Sequence, residues 1–377
     1  MRGSCLIFKM VVLLFAAALL IPAKSLSQEN VYHDFRHKYS DYFIFDVQGG
    51  MVIPNEPSDN DVLGGVGVAS VDFGVGSRVV GQEYWINYWN NPYFGVKLGY
   101  DHIMSNVLGR RITLGTFLEM PINNGPRWEF GYLFGFGISY MTKTYDSIAN
   151  PQDMFIGSHL NALINLGLTA NYHLSDKTII YSAVKFSHSS NGTVQLPNKG
   201  VNLVELELGA KVNYYSQYIE SLSFENDDVA NRPYNSIFIN LSPVYNSSRK
   251  TWEHYFSASA SIGYRRKFHP CFAYGAGVDF MYDASLEKAH EPHLPENNYA
   301  VSAYGLLEAY WGRFSLRGAV GYYAWRGCDF TLPFYERIGV YYSVGKRVGQ
   351  YVGASIKAHA AHAQFLEWTY GISLVSW

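Results

Sequence analysis

Apolar and polar residues alternate along most of this chain with a period of two. Over 178–190, Ile180, Ser182, Val184, Phe186, His188 and Ser190 fall on one side, and Tyr181, Ala183, Lys185, Ser187 and Ser189 on the other. Successive side chains of a strand point to opposite faces, so this is the pattern of a strand with two different faces. Similar runs bounded by turn residues predict strands over 42–54, 64–76, 93–104, 110–121, 128–142, 158–173, 178–190 and 202–215. A polar, acidic stretch at 216–234 follows, containing Glu225-Asn226-Asp227-Asp228. The alternation then resumes over 235–248, 252–266, 271–284, 298–310, 313–324, 333–345, 350–360 and 365–377. The predicted fold class is all-β, an antiparallel barrel of about 14–16 strands.

Composition says where such a barrel would sit. The chain is 48% hydrophobic and 16% aromatic, with 31 Tyr and 35 Gly, yet only 16% of its residues are charged. Soluble domains carry about a quarter charged residues. An apolar outer wall, a polar lumen and aromatic belts at the two interfaces make a transmembrane β-barrel. The competing reading is a large secreted β-sandwich or barrel, which does not call for so many aromatics.

Residues 1–25 read as a signal peptide. Arg2 and Lys9 are basic, Met10–Ile21 is apolar but too short to span a bilayer, and Ala23-Lys24-Ser25 offers small residues at cleavage spacing. Cys5 precedes the apolar run, so it is not placed for lipid attachment. No later segment has the length and apolarity of a membrane helix. The expected location is therefore the outer membrane of a Gram-negative bacterium. A net charge of −2 gives no basic footprint, so nucleic acid is not an expected partner. Cys271 and Cys328 have no CxxC partner, so neither a redox nor a zinc site is expected.

The domain reading is a barrel half over 26–215, a polar linker over 216–234, and a second half over 235–377. The halves resemble a diverged duplication. Ser182-Ala183-Val184-Lys185 is similar to Ala354-Ser355-Ile356-Lys357, and Val204-Glu205-Leu206-Glu207-Leu208-Gly209 to Leu366-Glu367-Trp368-Thr369-Tyr370-Gly371. Arg127-Trp128-Glu129-Phe130-Gly131 has a looser echo in Arg313-Phe314-Ser315-Leu316-Arg317-Gly318. Two eights make one 16-stranded barrel or two small barrels in tandem. One barrel is favoured, because a single closed sheet leaves no edge in lipid and needs no second closure. With the amino terminus in the periplasm, odd strands run outward, so 178–190 ends at the cell exterior. Cys271 and Cys328 would then lie at opposite rims and not pair.

Candidate chemistry gathers where 178–190 ends. His188 and Ser190 share one face, which places a general base beside a hydroxyl. That face is the more apolar one, so it is the lipid-facing wall. Asn202, on the apolar face of the following strand, shares it. Polar groups on such a wall are costly unless they bond one another, which marks them as functional. In this reading His188 takes the proton of Ser190, Asn202 orients the imidazole, and Asn191 with the Gly192 backbone N–H forms the oxyanion hole. Pro197 and Gly200 shape the loop that returns Asn202 to the histidine. Glu205 and Glu207 face the lumen by parity and are expected to pair there with Lys185 or Lys211.

His188-x-Ser190-Asn191 followed by Pro197-Asn198-x-Gly200 resembles the lipid A 3-O-deacylases, eight-stranded outer-membrane barrels. The resemblance is clearest over 178–215. It implies a serine-histidine-acid esterase on the lipid-facing wall, acting on lipid A or lipopolysaccharide in the outer leaflet without a cofactor. The family's third residue is a glutamate, whereas the matching position here is Asn202. His-x-Ser-Asn-Gly also resembles outer-membrane phospholipase A, which uses an asparagine there, needs calcium and acts on phospholipid. The Pro-Asn-x-Gly loop favours the deacylase. A non-catalytic porin, adhesin or receptor is the third reading. The second half does not repeat the motif. His359 and Glu367 are expected in the lumen and His362 in a turn, as a hydrogen-bonded pair rather than a metal site.

Overall fold

The structure, a computed structural model, describes residues 38–81, 84–123, 125, 127–218, 234–247, 253–287, 298–327, 332–344, 349–360 and 362–376. The signal-peptide reading, most of the acidic linker and Cys328 lie outside them. Among the described residues there are sixteen strands. The first eight are β1 (Lys38–Ile53), β2 (Gly67–Arg78), β3 (Tyr93–Ile103), β4 (Arg110–Pro121), β5 (Trp128–Met141), β6 (Leu160–Ser175), β7 (Thr178–Ser190) and β8 (Val201–Tyr218). The second eight are β9 (Tyr234–Ser247), β10 (His254–His269), β11 (Phe272–Tyr282), β12 (Tyr299–Trp311), β13 (Phe314–Arg326), β14 (Phe334–Ser343), β15 (Gln350–His359) and β16 (His362–Ser376). No helix among the described residues is long and apolar enough to cross a membrane.

The single 16-stranded barrel is not what forms. β8 pairs back onto β1, from Lys38↔Tyr218 to Ile53↔Asn202, and β16 pairs back onto β9. The chain makes two closed eight-stranded antiparallel barrels. Two closures leave no more sheet edge than one. At eight strands the lumen is narrow enough for side chains to fill. One compact unit holds β1–β8; the other holds β9–β16 together with the short loop Gly192–Pro197.

In the first barrel the alternation sorts side chains as the sequence predicts. On β5, Trp128, Phe130, Phe136, Ile138 and Tyr140 are exposed on the outer wall while Glu129, Leu133 and Ser139 are buried inside. Trp128 to Tyr140 spans about 40 Å of strand, or about 30 Å at barrel tilt, the depth of a hydrocarbon core. A continuous apolar wall of this size is a membrane surface rather than a water-facing one. The lumen is filled by paired charges. Lys97 lies 2.8 Å from Asp46 and 2.5 Å from Glu207, Arg78 2.7 Å from Glu129, and Lys211 2.6 Å from Glu119. Lys185 sits 3.7 Å from both Glu205 and Glu207, as parity predicts. The partner of Lys211 is instead Glu119, on β4, a pairing that neighbouring strands could not reveal.

The second barrel repeats the arrangement with arginines. Glu308 receives Arg265 at 3.1 Å and Arg317 at 3.2 Å, and Arg337 spans Glu367 at 2.7 Å and Asp279 at 2.9 Å. Removing one partner of a buried ion cluster leaves an uncompensated charge, which costs about 3–5 kcal/mol. Glu308→Gln is therefore expected to lower the unfolding free energy of this barrel by about that amount, read by urea titration in micelles. A loss under about 1 kcal/mol would show that the two arginines do not depend on Glu308.

Candidate functional site

The site occupies the end of the first barrel where β1, β3, β5 and β7 finish. A hydrophobic plug closes the lumen there: Val52, Leu63, Ile103, Met141, Phe155 and Val201 are among its buried members. Together with Leu108 these residues come from strand ends and from the loops after β1, β3 and β5, so the loops pack as one cap. Asp153 holds one of them, accepting the backbone N–H groups of Phe155 at 3.2 Å and Ile156 at 3.1 Å. Burial pushes its carboxyl up to about 6, against the pull of those two donors. The cap supports the β7–β8 loop directly, because the carbonyl of Phe155 accepts the N–H of Gly200 at 2.9 Å.

His188, Ser190 and Asn202 meet on the outer wall beside this cap. His188 is opposite Asn202 in the β7–β8 register. The imidazole Nε2 lies 3.0 Å from Ser190 Oγ and Nδ1 2.6 Å from Asn202 Oδ1. A carbonyl oxygen only accepts, so Nδ1 carries the proton and Nε2 presents its lone pair to the serine hydroxyl. This is the arrangement of a general base poised on a nucleophile. Ser190 is only 2% exposed, so water hardly competes for its hydroxyl.

Behind the site, Arg111 Nη1 donates to Ser187 Oγ and Ser189 Oγ, both at 3.0 Å, and its Nε to Asp101. The lumenal face of β7 is thus clamped while its outer face carries the chemistry. On the loop, Gly192 and Gly200 have φ of +62° and +76°, a backbone region that favours glycine. A Cβ on Gly200 would stand 2.7 Å from His188 Cε1, so glycine there is needed for the close approach.

Both predicted donors of Asn191 are engaged. Its backbone N–H donates to Asn198 Oδ1 at 3.0 Å and its Nδ2 to Ser158 Oγ at 2.9 Å. Because Asn198 turns its oxygen to that N–H, its Nδ2 points elsewhere, buried and without a hydrogen-bond partner among the described residues. Such an orphan donor, on the loop that follows the nucleophile, calls for an acceptor. The sequence showed Asn198 only as part of the loop motif. Asn55, in the β1–β2 loop, was missed altogether: its Oδ1 accepts from Asn202 Nδ2 at 2.5 Å and its Nδ2 donates to the Gly200 carbonyl at 2.9 Å.

The other candidates lie elsewhere. Glu205 and Glu207 are buried in the first lumen. His359 is in the second lumen, its Nε2 3.0 Å from the Tyr323 hydroxyl, while Glu367 is bonded to Arg337 and Ser355. His362 does not lie in the turn but opens β16 opposite His359, because the turn at Ala360 is tight, with a φ of 50°. No group of three or more His, Cys, Asp or Glu among the described residues could hold a metal ion. Cys271 is buried and free, and burial pushes its thiol up to about 12, far from reactive.

Solved structures give loose likenesses. Neisserial surface protein A is 12% identical, at a TM-score of 0.32 over 47% of this chain and 99% of that one. A mutant Rh. blastica porin is 12% identical, at 0.18 over 89% and 100%. CdiB from Acinetobacter baumannii is 9% identical, at 0.19 over 94% and 64%. At such scores the fold rests on the strand pairing itself. No curated protein matches the chain. Two family models do: lipid A 3-O-deacylase (PagL) over residues 71–211, which contains the His188–Asn202 site, and the acyloxyacyl hydrolase C-terminal domain over 192–377. From residue 71 to its end, this chain belongs to the PagL family of acyl hydrolases.

Proposed function

We propose that the first barrel is a serine esterase of the Gram-negative outer membrane that removes the 3-O-linked acyl chain of lipid A in the outer leaflet. The observation that carries this reading is the Asn202–His188–Ser190 hydrogen-bond chain on an apolar outer wall. Ser190 Oγ attacks the ester carbonyl as its proton passes to His188 Nε2. The oxyanion is received by Asn198 Nδ2 and the Gly192 N–H, with Asn191 holding Asn198 in place. The tetrahedral adduct collapses as His188 gives its proton to the departing sugar oxygen, leaving an acyl-serine. Water, deprotonated by His188, then releases the fatty acid and restores Ser190. Asn202 fixes the imidazole without lending it a negative charge. The family's glutamate is thereby replaced by a neutral acceptor, and orientation carries more of the role.

The lumen supports catalysis at the wall rather than passage through the barrel. The paired charges of Asp72, Lys97, Arg111 and Lys185 fill most of it, leaving a cavity of about 30 Å³ with room for a few waters. Phospholipase A activity is the second reading, favoured by asparagine as the third residue. A single assay separates them. Purified protein in mixed micelles with excess EDTA is expected to release hydroxyacyl chains from lipid A at the rate seen without chelator. Activity that appears only with calcium, and on phospholipid, would replace the deacylase with the phospholipase.

A further inference from the structure

A carboxylate accepts hydrogen bonds through either oxygen, so it holds an Nδ1–H whichever way it turns. A carboxamide does not. Rotated by half a turn, Asn202 would offer its NH2 to His188 Nδ1, draw the proton to Nε2, and leave Ser190 without a base. Something must fix the direction of that amide.

We propose that Asn55 is the positioning residue that does so; this rests on the hydrolase reading above. The direction originates in the Gly200 carbonyl, which can only accept. It therefore takes the Asn55 NH2, at 2.9 Å. Asn55 must then turn its oxygen to Asn202, whose Nδ2 it receives at 2.5 Å. Asn202 in turn faces His188 Nδ1 with its oxygen, at 2.6 Å, and the Nε2 lone pair is left for Ser190 at 3.0 Å. One backbone carbonyl thus sets the histidine tautomer through two amides. The same Gly200 packs against the imidazole, so the origin of the relay and its target are held together. Asn55 touches no reacting atom; it acts through Asn202.

The test reads the tautomer and the rate separately. Full-length protein carrying 15N-histidine is examined in micelles by NMR, with the His188 signal assigned by its loss in His188→Gln. Wild type is expected to show the Nδ1–H form. Asn55→Ala should show mixed tautomers and a kcat on lipid A micelles lower by about 10- to 100-fold at unchanged KM, short of the roughly 10⁴-fold that a fully wrong tautomer costs. Asn55→Asp keeps an acceptor toward Asn202 and should keep the Nδ1–H form. In an Asn202→Asp background either carboxylate oxygen accepts the Nδ1–H, so Asn55→Ala should leave the His188 Nδ1–H form unchanged. Asn55→Leu, of similar size and without hydrogen bonds, replaces the alanine variant if that one does not fold. The relay is overturned if Asn55→Ala keeps both the Nδ1–H form and the wild-type kcat while Ser190→Ala is inactive, an outcome that leaves the hydrolase reading standing. Full activity in Ser190→Ala would overturn that reading instead, with the tautomer measurement still deciding the relay.

Discussion

Ser190→Ala is expected to lower kcat on lipid A by about 10⁴-fold or more while the barrel folds as before. The serine Oγ is the atom that forms the acyl-enzyme in this reading, and among the described residues it is the hydroxyl that meets His188 Nε2, at 3.0 Å. Its removal takes one hydrogen bond of ordinary length from a site already held by Asn202 and the clamped lumenal face, so the unfolding transition should hardly move. Groups that act as a unit are not additive, and the double variant His188→Ala/Ser190→Ala should be no slower than either single one. Initial rates on purified, folded protein check both statements. Independent, multiplying losses would mean that the two side chains do not work together.

Gly200→Ala is expected to lower kcat by about 10²-fold or more, although residue 200 takes no part in the chemistry. Its φ of +76° costs an L-residue about 1–2 kcal/mol. The added Cβ would lie 2.7 Å from His188 Cε1 and 3.2 Å from both the Ser189 carbonyl oxygen and Ser190 Cβ. Two of these neighbours are strand-bound, so the imidazole must give way. A shift of about 1 Å in a reacting group is worth about 10²-fold in rate. Gly65→Ala, at a φ of +74° and with nothing within 4 Å of the new Cβ, is the matched control and should leave kcat near wild type. Comparable losses in both variants would trace the effect to barrel stability, not to the histidine.

The period-two pattern was legible because membrane barrels sort every residue to lipid or lumen. The strands 110–121 and 178–190 fall at their predicted ends. Parity also placed His188, Ser190 and Asn202 on one wall before any geometry was known. Closure was not legible. Alternation is the same whether β8 returns to β1 or continues to β9, and only non-local pairing decides it. For the same reason Lys211 reaches Glu119 across the lumen rather than a glutamate on its own strand. Asn55 escaped notice because it lies in a loop and meets Asn202 only when the barrel closes. Asn198 escaped because a donor's lack of a partner is a property of the folded site. His362 was misplaced by a turn tighter than its Ala-rich sequence suggests.

The most direct measurement is mass spectrometry of lipid A from outer membranes of cells making the wild-type protein or Ser190→Ala at equal levels. The account predicts that wild type removes one 3-O-linked hydroxyacyl chain and that the variant leaves lipid A untouched. The same loss in both strains, or lipid A intact in both with folded protein in the membrane, would contradict it.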